Sequence, residues 1–501
     1  MAINRASEIL GSKVLVAGAG VSGPGAVRLI LRLGGQVTVA DGRPEALDAL
    51  RDTVVLSEGD SARELITTVS VDAAETLVAA SGAVDLVVTS PGWRPDSPLL
   101  LAAAAAGIPV WGDVELSWLA DQEGCFGAPR TWLAVTGTNG KTTTTAMLAD
   151  MLTGGGLAAS ACGNIGVPVP DALLADPRVD YLAAELSSFQ LHWAPSCRPH
   201  VGVVLNIAED HLDWHGSLAA YTAAKAQVLT GDVAVVGADD AAAAALLADA
   251  PAATRVSVTV AKPNSGQLGI VDGSLVDRAF ADDVGGPTGE GSAFYEADRV
   301  RPAGAAGQTD ALAAAAMARA VGVSHRDIAA ALDGFEVAAH RAAEVATIDE
   351  IAYVNDSKAT NPHAARTSLL AGGMRVWIAG GLLKGASVDE LVAEVAPVLR
   401  GVVLIGRDRA EIAAALSRHA PQVHVVELPS GDDNDTSEAA PERDSQSVMD
   451  SAVRTAAELA RPGDTVLLAP AAASMDMFTN YGHRGDSFVA AVAALEGEED
   501  R

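Results

Sequence analysis

The chain carries 64 Asp and Glu against 34 Lys and Arg in 501 residues, a formal net charge of -30. That balance repels a nucleic-acid backbone over most of the surface and argues against nucleic acid as a partner. It leaves room for a small phosphorylated ligand held by backbone N–H groups, a few lysines and a metal. With 49% hydrophobic and 20% charged residues there is material for packed cores, and the length suggests roughly three domains rather than one.

Cys125, Cys162 and Cys197 are far apart and form no Cys-x-x-Cys pair, which fits a reducing compartment better than a disulfide framework. No stretch approaches the ~18 continuous apolar residues of a membrane span. The longest, residues 99–110, is broken by Gly107 and Pro109. Residues 1–10 carry Arg5 and Glu8 and do not read as a cleavable signal. The expected location is the cytoplasm, without a membrane partner.

In chain order, residues 13–17 read as a short buried strand, followed by Gly18-x-Gly20-x-x-Gly23 and a helix through Leu33. A second strand, 36–40, ends at Asp41, and a third, 84–88, stops at Ser90-Pro91-Gly92. These are parts of a Rossmann-like sheet, with ligand groups expected at the carboxyl ends of its strands. The pattern loosens over 118–129, and a new strand begins at Thr131. Strands at 131–135, 181–184 and 201–205 then alternate with helices, the last of them at 221–229, which predicts a parallel sheet covered by helices. The Gly- and Asp-rich residues 265–291 predict loops and short strands. Helices are expected at 311–320 and 326–332. After His340-Arg341, strands at 376–379, 401–405 and 465–468 and helices at 388–399 and 448–459 predict another α/β sheet. Residues 431–445, rich in Asp, Glu, Ser and Pro, read as a solvated insertion.

Binding a polyphosphate calls for inward-pointing N–H groups, a helix N-terminus behind them and a cation. Gly137-Thr138-Asn139-Gly140-Lys141-Thr142-Thr143 supplies all three. Its glycines let the backbone approach, Lys141 can reach the terminal phosphates, and Thr142 can help hold Mg²⁺. A Gly-rich turn that binds nothing is the plainer alternative, and the preceding strand and the Lys-Thr-Thr run favour phosphate. Glu185 ends the strand 181–184, where a carboxylate would face the phosphate cleft and could hold a metal. Ser187 and Ser188 fit a helix cap as well as a ligand contact. His211 and His215, at i and i+4, would suggest zinc if isolated. No Cys or third His stands at ligand spacing, so Mg²⁺ between phosphate, Glu185 and His211 is favoured. Lys225 alone reads as a surface lysine. The Gly18-x-Gly20-x-x-Gly23 turn with Asp41 would by default suggest NAD.

The order Gly137-Thr-x-Gly-Lys141-Thr, Gly163-Asn164-Ile165-Gly166, Glu185-Leu-Ser-Ser188-Phe-Gln190, Asn206-x-x-x-Asp210-His211-Leu212-Asp213, Lys225, His340-Arg341 and Asn355-Asp356-Ser357-Lys358-Ala-Thr360-Asn361 resembles the Mur ligases along nearly the whole chain. Asp41-Gly42-Arg43, Ser474-Met-Asp-x-Phe478, Tyr481 and Arg484-Gly485 look most like the member that adds D-glutamate to UDP-N-acetylmuramoyl-L-alanine in peptidoglycan precursor synthesis. The resemblance implies an α/β protein of three domains. Residues 1–119 would be a Rossmann-like domain for the UDP substrate, 120–337 a central P-loop ATPase-type parallel sheet, and 338–501 a Rossmann-like domain touching D-glutamate and ATP.

It further implies a monomeric ATP-dependent amide ligase. Residues 137–143, Arg341 and Asp356 would serve ATP. Val21, Ser22, Asp41, Gly42, Arg43, Ser90, Gly92, Asn164 and Ser187 would contact the UDP substrate. Lys358, Thr360, Lys384, Ser474 and Tyr481 would receive D-glutamate. Lys141, Glu185, His211 and Lys225 would carry the chemistry, with Lys225 as a carbamate joining Thr142, Glu185 and His211 around two Mg²⁺ ions. The sequence departs from the pattern at Leu383, where an Asp is usual, at Tyr481, where a Phe is usual, and at 306–310, which leaves the adenine contacts unassigned. A nucleotide-dependent switch and an NAD-dependent oxidoreductase are the rivals from other classes. Nothing after residue 130 supports the second.

Overall fold

The computed structural model describes residues 3–59, 62–280, 291–337, 339–429 and 445–499. They fall into two compact units, one of Met1–Ile207 with Ala219–Phe335, the other of Ala208–Leu218 with Glu336–Arg501.

The first unit holds two sheets. In the first, five parallel strands lie in the order Ile66–Val69, Gln36–Ala40, Lys13–Ala17, Leu86–Thr89, Val110–Gly112. Lys13–Ala17 is exposed only at its lysine, as a central strand should be. The strand order reverses beside it, between Lys13–Ala17 and Leu86–Thr89, and there the helix Gly23–Arg32 begins. A doubly wound sheet opens a ligand crevice at that point.

The second sheet has nine strands. Ala159–Gly163, Tyr181–Glu185, Thr131–Thr136, Val201–Val204, Val233–Gly237, Thr254–Val258 and Gln267–Val271 run parallel, and Ser274–Asp277 and Ser292–Glu296 close the edge antiparallel. Helices Lys141–Gly154 and Ala305–Ala320 bury Met147, Leu148, Met151 and an alanine run against Leu133 and Val135. The small alanines let the second helix lie close to the sheet. Trp132, on the other face, shares a core with Trp118, the two rings meeting edge-on with centroids 5.3 Å apart. The Arg28–Asp171 ion pair, 2.6 Å, and the buried Arg130–Asp121 pair, 2.6 Å, hold the two sheets' helices and strands together.

In the second unit six strands lie in the order Ala343–Ile348, Ile351–Asn355, Thr465–Leu468, Arg375–Gly380, Leu399–Ile405, His424–Glu427. The first pair is antiparallel and the rest parallel. Apolar side chains cover both faces, Val392 and Leu416 on one, Val453 and Phe488 on the other.

The expected strands at 13–17, 36–40 and 465–468 appear with those bounds. The helix expected at 388–399 is shorter, Asp389–Val395, because Pro397 has no N–H to continue it; a 3-10 turn, Ala396–Val398, follows, and Leu399 already belongs to the next strand. The helix expected at 221–229 begins earlier, Leu218–Ala226, and ends in the 3-10 turn Gln227–Thr230. Residue 119 lies inside the helix Asp113–Gln122. Of the acidic insertion at 431–445, all but Ser445 lies outside the described residues, as do 281–290 of the Gly- and Asp-rich stretch. Among the described residues no helix is long and apolar enough to cross a membrane.

Candidate active site

Strand Thr131–Thr136 runs directly into the loop 137–140, and helix Lys141–Gly154 starts behind it. Gly140 caps that helix in a left-handed conformation, φ 84°, with Asp310 Oδ1 and Leu205 Cδ1 where a side chain would begin, so only glycine fits. The loop is pinned from the neighbouring strand. Thr138 N donates to Asn206 O at 3.0 Å, Asn139 N donates to Asn206 Oδ1 at 2.8 Å, and Asn206 Nδ2 returns a bond to Asn139 O at 3.2 Å. Thr138 Oγ1 meets the Tyr221 hydroxyl at 3.0 Å, and Thr144 Oγ1 donates to Asp310 Oδ1 at 3.2 Å.

Two ammonium groups share the carbonyl of Gly137. Lys141 Nζ donates to Gly137 O at 3.0 Å and Thr138 O at 2.8 Å. Lys225 Nζ donates to Gly137 O at 2.7 Å and lies 4.7 Å from the centroid of the Tyr221 ring. Lys225 is therefore no surface lysine: it is 1% exposed. Lysine is almost never buried to that degree without partners, and here the Gly137 carbonyl and the Tyr221 ring are among them.

Glu185 stands level with Val135 across the paired strands, one residue before the loop's own strand ends, and is 2% exposed. Its Oε1 accepts from Asn164 Nδ2 at 2.9 Å, and its carbonyl accepts from Asn164 N at 2.8 Å. Among the described residues no three His, Cys, Asp or Glu side chains gather into a ready-made metal cage. The hard carboxylate of Glu185 and the hydroxyl of Thr142, second residue of the loop helix, instead suit Mg²⁺, which keeps water and takes its other ligands from substrate phosphates.

A cleft of about 320 Å³ opens at the switch point of the first sheet. Val21, Ser22, Asp41, Arg43, Ser90, Gly92 and Asn164, singled out from sequence, all line it. Gly42 and Ser187 are not among its lining residues. Ser187 caps the helix Ser188–His192: its hydroxyl accepts from Gln190 N, and Gln190 Oε1 accepts from Ser187 N. Burial works to raise the Asp41 carboxyl, but bonds from Ala19 N, at 2.8 Å, and Arg43 N, at 3.0 Å, with the Arg43 guanidinium, hold it below the usual carboxylate range. The cleft also takes in Trp93, Asp113 and Gln190, which the sequence reading missed. Asp113 is the first residue of a helix, where an acidic side chain signals only a favourable helix start. Burial pushes its carboxyl up to about 6, against N–H groups of Val114 and the Gln190 side chain.

In the second unit, Asp210 lies between Lys384 Nζ and His211 Nε2, each 3.6 Å from one of its oxygens. Lys384 and His211 hold left-handed backbones, φ 55° at each. Tyr481 presents its ring to Lys358 Nζ at 3.8 Å from the centroid, so the ring kept at that position has a cation to meet. Asp356 is half-buried, and desolvation raises its carboxyl, with Ser368 Oγ, Ala342 N and the Arg341 charge opposing. Leu383 is buried in the core, and its N–H donates to Asp408 Oδ2 at 2.8 Å. Arg484, unassigned from sequence, reaches Ser357 Oγ at 3.0 Å, Ser357 O at 2.8 Å and Ala472 O at 3.0 Å. It ties the Asp356–Thr360 turn to the loop leading to Ser474. Burial lowers its guanidinium to about 9, with Asp476 opposing.

Residues 135–272 match the Mur ligase middle domain and 340–472 the "Mur ligase, glutamate ligase domain", while 1–100 match the alanine dehydrogenase/PNT C-terminal domain. The UDP-N-acetylmuramoylalanine--D-glutamate ligase of Rhodococcus jostii is 53% identical, over 98% of this chain and 96% of its own. That of Mycolicibacterium smegmatis is 51% identical over 97% of each chain. Among solved structures, a pseudomurein peptide ligase type C from Methanothermus fervidus superposes with a TM-score of 0.55 at 17% identity, covering 96% of this chain and 99% of that one. The UDP-N-acetylmuramoylalanyl-D-glutamyl-2,6-diaminopimelate--D-alanyl-D-alanyl ligase of Acinetobacter baumannii gives 0.53 at 16% identity, covering 96% and 93%. These two share the fold. With about half its residues matched along nearly the full length of the Rhodococcus and Mycolicibacterium proteins, the chain belongs to the Mur ligase family, in its UDP-N-acetylmuramoylalanine--D-glutamate ligase branch.

Proposed function

We propose that the chain is an ATP-dependent ligase that joins D-glutamate to UDP-N-acetylmuramoyl-L-alanine in peptidoglycan precursor synthesis, working as a monomer in the cytoplasm. The observation that carries this reading is the full-length identity of 53% and 51% to ligases of that name. The phosphate loop and the switch-point cleft give it a chemical basis. In this reading residues 1–119 hold the UDP substrate, 120–337 hold ATP, and 338–501 supply D-glutamate and further ATP contacts.

The alanyl carboxylate of the UDP substrate attacks the γ-phosphorus of ATP, the bond to the β-phosphate oxygen breaks, and an acyl phosphate and ADP result. The amine of D-glutamate then attacks the acyl carbon. The tetrahedral adduct loses a proton and expels inorganic phosphate, leaving the amide. Little of this needs proton transfer by side chains, so positioning and charge stabilisation dominate. The N–H groups of 137–140 and the Lys141 ammonium receive the phosphates, with Arg341 and Asp356 completing the ATP contacts. Thr142, Glu185, His211 and a carbamylated Lys225 would hold two magnesium ions, which when bound neutralise charge on the transferring phosphoryl group. Asn164 orients Glu185 through the bond between their side chains. Asp41, Arg43, Val21, Ser22, Ser90 and Gly92 hold the uridine nucleotide, with Gly42 and Ser187 adjacent. Lys358, Lys384, Thr360, Ser474 and Tyr481 receive the carboxylates of D-glutamate.

Incubating the chain with ATP, Mg²⁺, UDP-N-acetylmuramoyl-L-alanine and D-glutamate should yield ADP, phosphate and a product heavier by one glutamyl residue in mass spectrometry. Omitting D-glutamate should abolish that mass, and L-glutamate or a diamino acid should not replace it. ADP formation with no amide product would point to a nucleotide-driven switch instead.

A further inference from the structure

Asp113 sits at the start of the helix Asp113–Gln122 and lines the switch-point cleft, yet it is 2% exposed. Its surroundings orient it. Gln190 Oε1 is taken by Ser187, through the N–H at 3.1 Å and the hydroxyl at 3.3 Å, so the amide nitrogen of Gln190 is the end that faces Asp113. The Gln190 side chain is among the groups that act on the Asp113 carboxyl, holding it down against the effect of burial. That leaves Asp113 Oδ1, a buried oxygen that accepts no hydrogen bond. Among the described residues no cation stands among the groups that act on this carboxyl, so none of them holds it as half of an ion pair. A buried acceptor left unmade costs free energy, and a native protein retains one where a ligand or water completes it.

The position of Asp113 in the cleft narrows the ligand group. Asp41 and Arg43 line it from the first sheet, and Asn164, which follows a strand of the second sheet, bonds to Glu185. A substrate with its nucleotide by Asp41 and its reacting carboxylate near Glu185 must place its sugar between the two. Phosphates offer no donor and would be repelled by a carboxyl oxygen. An N-acetylated sugar offers neutral O–H and N–H donors, and Trp93 provides a flat apolar wall against which a sugar ring can lie.

We propose that Asp113, oriented by Gln190 and Ser187, is a specificity-determining residue whose Oδ1 accepts a hydrogen bond from a neutral O–H or N–H on the sugar of the UDP-linked substrate. This rests on the reading of the cleft given under Proposed function. The residue acts on recognition of the sugar and leaves recognition of the uridine diphosphate untouched.

Calorimetric titration of the full chain with UDP and with UDP-N-acetylmuramoyl-L-alanine tests it. Asp113→Asn keeps the shape and the Gln190 contact but puts an N–H donor where the acceptor stood. It should weaken the UDP-sugar about tenfold, the usual scale for one buried hydrogen bond, while UDP affinity stays within about twofold. Asp113→Ala should do the same, and either variant suffices if the other fails to fold. Equal loss on both ligands, or none on either, overturns the assignment, because a merely structural role would not separate them. If the unaltered chain binds the UDP-sugar no better than UDP, the substrate reading itself falls and the assignment with it. If the unaltered chain discriminates and the variants do so equally, only the assignment to Asp113 falls.

Discussion

The Asp113 carboxyl, in the switch-point cleft, makes the stability of the chain depend on pH. Burial raises it from the ordinary 3.8 to about 6, so the fold prefers its protonated form. A group raised in this way lends its stability below the unfolded value, and that stability is lost as pH climbs through the folded value. The loss between pH 4 and 7 is on the order of 3 kcal/mol, taking 1.36 kcal/mol for each pH unit between the two values. Asp113→Asn cannot ionise, so its melting temperature should gain on that of the unaltered chain as pH rises from 4 to 7. A constant difference across that range would show that Asp113 does not titrate there. Lys225 makes a second prediction at this scale. Lys225→Ala should lower ligase turnover by on the order of a hundredfold, as for other lost charge-stabilising groups, and a short-chain carboxylate should restore part of it if a carbamate oxygen is what has been removed. Loss that neither carboxylate nor bicarbonate relieves would mean that the lysine serves to hold the Gly137 carbonyl.

Between strand and helix, the loop 137–140 depends on one left-handed residue, Gly140. Gly140→Ala would place a methyl group against Asp310 Oδ1 in a backbone conformation that alanine resists. The expected cost is about 1–3 kcal/mol of stability, read as a lower denaturant midpoint, together with weaker ATP binding in titration. An unchanged midpoint would show that helix Ala305–Ala320 can yield there. This loop was legible in the sequence because its glycines, lysine and preceding apolar strand are contiguous. Its supports were not. Asn206 and Asp310 reach the loop from other elements, and no local pattern shows that a residue will face another one far away in the chain. The strand Lys13–Ala17 was readable as a short apolar run, whereas His424–Glu427, a half-exposed edge strand, has no such signature. Lys225 looked like a surface lysine because its helix is mostly alanine, so polarity alone could not tell its buried face from its open one. The switch-point cleft was readable from composition and spacing only as far as the Gly-rich turn and Asp41 imply a nucleotide; Asp113 and Gln190 enter it from the junction of two sheets.

For the molecule as a whole, the two sheets of the first unit share continuous cores that, among the described residues, draw on none after Phe335. A chain ended after Phe335 should therefore fold and bind UDP within about threefold of the full chain, a change of less than about 1 kcal/mol, while forming no amide. Loss of UDP binding would show that the first unit needs the second to hold its cleft. The segment Ala208–Leu218 gives this organisation a temporal side. It belongs to the second unit, yet the ribosome delivers it before Ala219–Phe335, with its packing partners from Glu336 onward still unmade. Asp210 must wait for Lys384. The second unit therefore cannot close in order of synthesis, and a separately expressed piece beginning at Glu336 would lack a strip of its own structure, the strip that carries His211.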